Sequence, residues 1–510
     1  MPRIVMVYPR QGFSGAYVKH MPLSLLYASA EVVKKGWDVK ILDTRVVSGD
    51  WRPALRSLIN DGTVLVGISV MSGSPIRNAI EIGREVKRIA PSLPVVWGGP
   101  HATFYPEAIL RDDPNVDYVV SGYASRSFPH LCEVVASGGN LTGVNGLSWR
   151  EGGRIRANPD TQKTFEFINW RDIPYHLIED YGPYGQLDQD KRIFSMFSAM
   201  GCPYQCSFCS SPAQYAPIEG RKWVPLAHGE IVDHVQHVVE TYGANYIYFI
   251  DDDSFPSLRH VEALIDEIRA RGLPVKLGFR GARINEIKRM SHEFLNKLAD
   301  AGTDIMHIGA ESGSDRILAL MKKNCTVEDI LDCNRKLARH PSIIAAYNFI
   351  MGVPTETLDD VRMTRDLILR LVEDNPNSLV FPPNKFRPLP GTELYELAQT
   401  EWGYRMPDTL DAWAAIEVEG DIDSRRYGKG MARFCNLLLI GSYFVDNKVA
   451  RVTEGKSALT RVARLINRLY GPIARFRLRH GLDRLLVEYW AYRLLTRLLG
   501  LLQTRNQGRG

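Results

Sequence analysis

Cysteine is scarce: seven among 510 residues, an odd number, with three of them between positions 202 and 209. So sparse and uneven a set argues against a disulfide framework and for a ligand cluster in a reducing compartment. Long apolar runs are missing too. No stretch reaches 18 uninterrupted apolar residues, and Ile4–Tyr8 stops at Pro9, too short for a signal-sequence core or a membrane span. The expectation is a cytoplasmic protein, soluble or resting on the inner face of a membrane. An excess of one charge is also lacking: 63 Lys and Arg against 58 Asp and Glu leave +5, too little over this length to argue for nucleic acid. That near balance is uneven. Residues 451–510 hold 13 basic residues against Glu454, Asp483 and Glu488, a local +10, which leaves residues 1–450 at −5. A composition 45% hydrophobic and 24% charged is ordinary for globular chains and excludes disorder, collagen and coiled coil. At about 150 residues per domain, the length suggests roughly three domains.

Short β-branched runs at Ile4–Tyr8, Val39–Asp43, Val64–Val70, Val95–Trp97 and Val116–Val120 alternate with amphipathic stretches near 22–35, 75–90 and 126–136. The pattern predicts an α/β domain over 1–145, a doubly wound, Rossmann-like parallel sheet that binds ligands at the carboxyl ends of its strands. Those ends carry Ser69, Ser72, Gly73 and Ser74, then Gly98-Gly99-Pro100-His101, then Ser121-Gly122. Each glycine alone could serve only a tight turn, whereas repetition at three strand ends suits close approach of a bulky ligand to backbone. Most of residues 1–125 resembles the cobalamin-binding domain found ahead of radical S-adenosylmethionine (SAM) barrels, which shares the Gly-Ile-Ser and Gly-Gly-Pro-His strand ends. The resemblance implies cobalamin contacts at Ser69, Ser72, Gly73, Gly98, Gly99, Pro100, His101 and Gly122. Two features depart from related patterns. Tyr8-Pro9-Arg10-Gln11-Gly12 stands where methionine synthase and the mutases carry Asp-x-His-x-x-Gly, so the resemblance implies a cobalt not ligated by histidine. The family's Gly-Glu-Gly-Glu reads Ser121-Gly122-Tyr123-Ala124-Ser125. His101, in its turn, suits a contact to the nucleotide tail or a structural hydrogen bond better than a cobalt bond.

Residues 146–190 mix Gly, Pro, Asp and aromatics with weak periodicity, as a linker does. An apolar strand, Ile193–Met200, then ends in Gly201-Cys202-Pro203-Tyr204-Gln205-Cys206-Ser207-Phe208-Cys209. Three thiolates spaced Cys-x3-Cys-x2-Cys can hold three irons of a [4Fe–4S] cluster and leave the fourth open. A structural zinc site is the other reading, but it wants four ligands, and no second Cys-x2-Cys pair exists. The motif resembles that of radical SAM enzymes, in which the open iron chelates SAM and the aromatic residue before the third cysteine, here Phe208, lies along the adenine.

Strand–helix repeats follow over 191–400, predicting six units of a partial (β/α)6 TIM-type barrel. Tyr246–Ile250 ends at Asp251-Asp252-Asp253, Leu277–Ala282 at Arg283, and Ile305–Ala310 at Glu311-Ser312-Gly313-Ser314. Ile343–Met351 ends at Gly352-Val353-Pro354, and Ser378–Phe386 at Arg387-Pro388-Leu389-Pro390-Gly391-Thr392. The resemblance implies that Asp251 and Asp252 lie at the SAM amino group, Arg283, Glu311 and Ser312 at its ribose and carboxylate, and Pro390 and Gly391 near its adenine, with Gly352 also among the cofactor-binding residues. Each could instead be structural, as a helix cap, an Arg283–Glu286 pair or a turn.

Residues 401–510 read as a helical, basic region. Leu459–Leu502 predicts two helices broken at Gly471-Pro472 and Gly481, with Arg461, Arg464 and Arg468 interleaved with Val462, Leu465, Ile466 and Leu469. Such helices either pack on the barrel with a solvated arginine side or attach to an anionic membrane, with Tyr470, Phe476, Tyr489, Trp490 and Tyr492 in support.

The chain is thus similar to class B, cobalamin-binding radical SAM enzymes, with a [4Fe–4S] cluster, SAM and cobalamin as the implied cofactors. The resemblance implies generation of a 5′-deoxyadenosyl radical and methylation of an unactivated carbon in a small-molecule substrate; attachment of the C-terminal helices to a membrane would suit a hydrophobic, lipid-like one, and a tetrapyrrole is the other option. It also implies a low-potential electron donor such as a flavodoxin or ferredoxin. A non-methylating oxidative cyclase like the anaerobic Mg-protoporphyrin monomethyl ester cyclase, and a cobalamin or iron–sulfur sensor, are the alternatives.

Overall fold

The computed structural model describes residues 1–10, 20–184, 191–416, 424–446 and 458–494. Gln11 and Gly12 of the first strand-end motif, and the end of the last expected helix, lie outside the described residues. The chain divides into two compact units, Met1–Tyr184 with Met406–Val418 and Leu494–Gly510, and Gly185–Arg405 with Glu419–Arg493.

In the first unit, β1 (Arg3–Tyr8), β2 (Asp38–Asp43), β3 (Thr63–Ser69), β4 (Val95–Gly98) and β5 (Tyr118–Val120) form a parallel sheet in the order β2-β1-β3-β4-β5. The order reverses between β1 and β3, and a crevice for a ligand opens at such a point, outside the carboxyl ends of the strands. Alternation along β1 fills both faces. Ile4 and Met6 join the core beneath the helices Leu23–Lys34 and Ala124–Ser137, while Val5 and Val7 join the one beneath Pro75–Ile89. Residues 147–157, read as linker from their weak periodicity, extend this sheet: β6 (Leu147–Glu151) pairs antiparallel with β5, and β7 (Arg154–Ala157) pairs antiparallel with β6. Gly152 and Gly153, with φ of 56° and 75°, make the turn between them. The exposed side chains of β7 supply no apolar alternation for a sequence reading to find.

In the second unit β8 (Ile193–Met196) stops early, and β9 (Ala199–Gly201) leaves it to pair antiparallel with β10 (Trp223–Pro225). The sheet continues with β11 (Tyr246–Phe249), β12 (Lys276–Arg283), β13 (Thr303–Glu311), β14 (Ile344–Met351) and β15 (Ser378–Val380), all parallel. Their spatial order is their chain order, the curled partial barrel expected, with β16 (Asn384–Lys385) added on β14. Helices join successive strands, and five of those along the barrel start at a hydroxyl cap: Ser257, Ser291, Thr326, Thr357 and Thr392 each accept an N–H of the first turn.

Beyond the barrel, the helix Ser424–Ser442 bends at Gly428 (φ 76°) and packs on Leu358–Asp374 together with the helix Ala458–His480. The latter runs through Gly471-Pro472 without the expected break and ends before Gly481 (φ 62°). Among the described residues no helix is long and apolar enough to cross a membrane.

Candidate active site

Gly201, with φ of 85°, turns the chain out of β9 into the cysteine loop. Ser207 ties the loop to neighbouring elements: its hydroxyl donates to the Leu320 carbonyl (2.7 Å), its N–H to that of Met321 (3.2 Å), and its own carbonyl accepts the Leu394 N–H (3.0 Å). Phe208 packs beside Ile317, Met321, Val353 and Leu394. Cys206 is buried, Cys202 and Cys209 half-buried, and all three are free thiols. Burial pushes the Cys202 thiol up to about 12 and the Cys209 thiol above its ordinary value, so bare thiolates here would need positive charge beside them.

Arg283, at the end of β12, supplies such charge. Its Nη1 donates to Cys206 Sγ at 2.8 Å and its Nη2 to the Lys323 carbonyl at 3.2 Å, while Nε is buried without a partner. The guanidinium lies 3.9 Å from the centre of the Tyr204 ring. The pairing with Glu286 weighed from the sequence exists only through the backbone. The fully buried Glu286 carboxylate accepts the Arg283 N–H (3.1 Å) and the Tyr204 hydroxyl (2.8 Å). Beside it, burial and the Glu286 charge hold Asp253 well above the usual carboxylate range.

The Asp run divides. Asp251 faces inward, accepting the N–H (2.7 Å) and hydroxyl (2.5 Å) of Ser198, the Ala199 N–H (3.1 Å) and the Ser254 hydroxyl (3.1 Å). Burial raises it to about 6 against those four donors. It fixes the kink between β8 and β9, and hence where the cysteine loop starts. Asp252 is exposed and accepts the Tyr215 hydroxyl.

The Gly-x-Glu-Ser-Gly-Ser segment has a steric logic. A Cβ on Gly309 would lie 2.3 Å from Glu311 Oε1, and one on Gly313 would lie 2.3 Å from the Met363 carbonyl of the helix Leu358–Asp374. Glu311, with φ of 63°, turns its carboxylate to Lys323 Nζ at 3.0 Å, and both side chains are buried. Ser312 is buried against that helix: Thr364 Oγ1 lies 3.4 Å from its hydroxyl and accepts the Gly313 N–H, while Ser314 donates to Asp360 at 2.6 Å. Gly352 (φ 78°) donates to the buried Glu356, as does Val353, and burial raises that carboxyl to about 7. Pro390 and Gly391 form a turn against the helix that follows the cysteines, since a Cβ on Gly391 (φ 74°) would lie 2.9 Å from Ala213 Cβ. Lys323 and Glu356 were not anticipated, nor was the contact of Tyr204 with Arg283 and Glu286, although Tyr204 lies inside the cysteine motif.

At the strand ends of the first unit, Ser69 Oγ lies 3.1 Å from Ser24 Oγ, and Ser72 Oγ lies 3.0 Å from His101 Nδ1. His101 is fully buried, its Nε2 has no partner, and burial lowers its pKa to about 4, which leaves a neutral ring at pH 7. Gly98 precedes Gly99, whose φ of 92° and approach to Val70 leave no room for a Cβ, which would stand 2.9 Å from Val70 N. Pro100 opens the short helix Pro100–Phe104. Gly122 (φ 75°) lies under Asp160, whose Oδ2 would stand 2.4 Å from a Cβ there, and Ser125 donates to Glu166 at 2.6 Å. Two carboxylates from a distant loop thus lie beside the segment that lacks its own.

These arrangements fit the implied groups. Three thiols on one loop, with a guanidinium on the innermost, suit a cluster held at three corners. Among the described residues no three His, Cys, Asp or Glu side chains gather as ligands of a single ion. Bare glycine backbone and the unpaired, buried His101 Nε2 suit a large ligand at the strand ends of the first unit. A family model for the radical SAM superfamily matches residues 196–368, and one for the B12 binding domain matches 14–132. The chain is 28% identical over 379 residues, 74% of its length and 78% of the relative's, to an uncharacterized methyltransferase of Pyrococcus horikoshii. It is 25% identical over 411 residues, 76% of its length and 63% of the relative's, to the anaerobic magnesium-protoporphyrin IX monomethyl ester cyclase of Cereibacter sphaeroides. In fold it is similar to OxsB, a cobalamin-dependent S-adenosylmethionine radical enzyme solved with aqua-cobalamin, at a TM-score of 0.72 and 16% identity, over 98% of this chain and 75% of that one. The chain therefore belongs to the radical SAM enzymes that carry a B12-binding domain, and its cofactors are a [4Fe–4S] cluster, SAM and cobalamin.

Proposed function

We propose that the chain methylates an unactivated carbon of a small hydrophobic or lipid-like substrate, with Cys202, Cys206 and Cys209 holding the cluster. When bound, the cofactors supply one-electron cleavage of the SAM carbon–sulfur bond and a transferable methyl group, chemistry that no side-chain base tuned near neutral pH performs on an sp3 carbon. The observation that carries the reading is the Arg283 guanidinium 2.8 Å from Cys206 Sγ, a fixed cation on a loop locked into the barrel through Ser207. Arg283 keeps positive charge on the thiolate, and Tyr204 and Glu286 hold Arg283 in place. Phe208, Gly352, Pro390 and Gly391 border the adenine, Asp252 and Glu311 bind the polar end of SAM, and Asp251 and Ser312 hold the strand ends that present them. Ser69, Ser72, Gly73, Gly98, Gly99, Pro100, His101 and Gly122 line the cobalamin face. A flavodoxin or ferredoxin supplies the electron. A lipid-like substrate would be met at the inner face of a membrane, to which the C-terminal helices attach the protein.

A second reading, oxidative cyclisation without methyl transfer, is favoured by the 25% identity to the protoporphyrin ester cyclase. Anaerobic incubation of reconstituted enzyme and reductant with cell extract and SAM labelled in its methyl group separates the two. Label in a stable product other than SAM and its breakdown products supports methylation. Formation of 5′-deoxyadenosine without labelled product supports cyclisation, and no SAM consumption would contradict both.

A further inference from the structure

The helix Ala458–His480 carries six arginines, Arg461, Arg464, Arg468, Arg475, Arg477 and Arg479, and no carboxylate. Its buried side presents Ala474 and Leu478 to the helix Ser424–Ser442, packed so closely that a Cβ on Gly441 would lie 2.7 Å from Leu478 Cδ1. At about 100° per residue, Leu465, Leu469 and Phe476 recur on a line away from that side, flanked by Ile466 and Ile473. A helix packed on a globular body normally turns such a line inward. Here it faces out: Leu469 is 65% exposed and Phe476 56%. Arg461, Arg468, Arg475 and Arg479, seven or four residues apart, run along one edge of it; Arg461 and Arg468 are exposed, Arg475 donates to the Val445 carbonyl (3.3 Å) and Arg479 pairs with Glu373.

The surface continues beyond Gly481. Arg477 turns back on the chain, donating to both Glu488 carboxylate oxygens (2.7 and 3.0 Å), to the Arg484 carbonyl (2.7 Å) and to that of Leu482 (3.1 Å). This clamp folds residues 482–488 into a hook with Leu485 in a left-handed conformation (φ 54°) and 86% exposed. Trp490, next along, is 66% exposed. A strained, solvent-facing leucine held by a half-buried arginine is a costly arrangement for a surface that only meets water.

We propose that the line Leu465–Phe476 and the hook around Leu485 form one docking face for an anionic lipid bilayer, the apolar side chains entering the headgroup–acyl boundary and the arginine row lying on the phosphates. The proposal deepens the lipid-substrate reading above and rests on it for its purpose, not for its geometry. Charge selects the occupant. A second copy would set one arginine row against another, and residues 495–510 add Arg497, Arg505 and Arg509 without an acid, so neither offers the complement that phosphate does.

The test is co-sedimentation of the reconstituted full-length protein with vesicles of phosphatidylcholine alone or mixed with phosphatidylglycerol, at low and high salt. Wild type is expected to pellet with the mixed vesicles and to be released by salt. A Leu469→Gln/Phe476→Gln/Leu485→Gln variant should bind about tenfold less or weaker still. Because those changes could disturb the helix, Arg461→Glu/Arg468→Glu, at exposed positions, serves as a second variant and should lose the preference for anionic vesicles. Absence of vesicle binding by wild type, equal binding by the variants, or a dimer by light scattering that the triple variant converts to monomer would each overturn the proposal. SAM cleavage to 5′-deoxyadenosine, measured on the same samples without vesicles, separates failure of docking from failure of the catalytic reading.

Discussion

Arg283 concentrates the chemistry of the cysteine loop in one side chain. A hydrogen bond and a positive charge on a cluster thiolate stabilise the reduced, more negative cluster. Arg283→Gln should therefore lower the midpoint potential, by on the order of 50 mV, close to a tenfold change in a one-electron equilibrium. Arg283→Lys should recover part of it. Potentiometric EPR reads the shift, and an unchanged potential in Arg283→Gln would remove the residue from the cluster's surroundings. Glu356 permits a second prediction, in stability. Its carboxyl is buried and raised from 4.5 to about 7. Between those values the folded protein keeps a proton that the unfolded chain releases, so stability should fall as pH rises through that window, by about 3 kcal/mol in all. Denaturant unfolding from pH 4.5 to 8 should show this slope in wild type and a shallower one in Glu356→Gln; identical slopes would contradict the assignment.

The strand ends show at the level of elements why small residues stand where they do. Gly313 presses the end of β13 onto the helix Leu358–Asp374, with the Met363 carbonyl 2.3 Å from where a Cβ would be. Because backbone cannot yield as a flexible side chain does, Gly313→Ala should destabilise the barrel by about 3 kcal/mol or more, readable as a lower melting temperature and weaker iron retention. Gly122→Ala should be milder if Asp160 swings aside. These positions also mark what could be read from the sequence. The five parallel strands of the first unit and the six of the barrel were legible because each is a β-branched or apolar run ending in a short polar or glycine-containing motif. The cysteine loop was legible because its ligands are consecutive in the chain. Lys323 was not: it reaches Glu311 from a tight loop in which Lys322 and Asn324 both have φ of 55°, and no local pattern announces such a turn. The β6–β7 hairpin escaped because its outer strand is exposed throughout, and the helix Ala458–His480 was cut at Gly471-Pro472, where tertiary packing overrode local propensity.

At the scale of the whole molecule, a segment from beyond the barrel belongs to the first unit. Leu410 N–H bonds Asp112 (2.9 Å), and the Trp413 ring lies 4.5 Å from that of Tyr105 and 5.4 Å from that of His101. A reading along the chain assigns this segment to the C-terminal region, since nothing local encodes a contact some three hundred residues back. Such a return ties the cobalamin-side core to residues that follow the cluster-side domain in sequence. All of the proposed chemistry depends on a cluster anchored by three side chains with one iron left for SAM. The direct measurement is EPR of the anaerobically reconstituted, reduced protein before and after addition of SAM, for wild type and for Cys202→Ala, Cys206→Ala and Cys209→Ala. A [4Fe–4S] signal that SAM alters is expected in wild type and its loss in each variant; a signal indifferent to SAM, or one that survives loss of any of the three cysteines, would rule out the open-iron cluster.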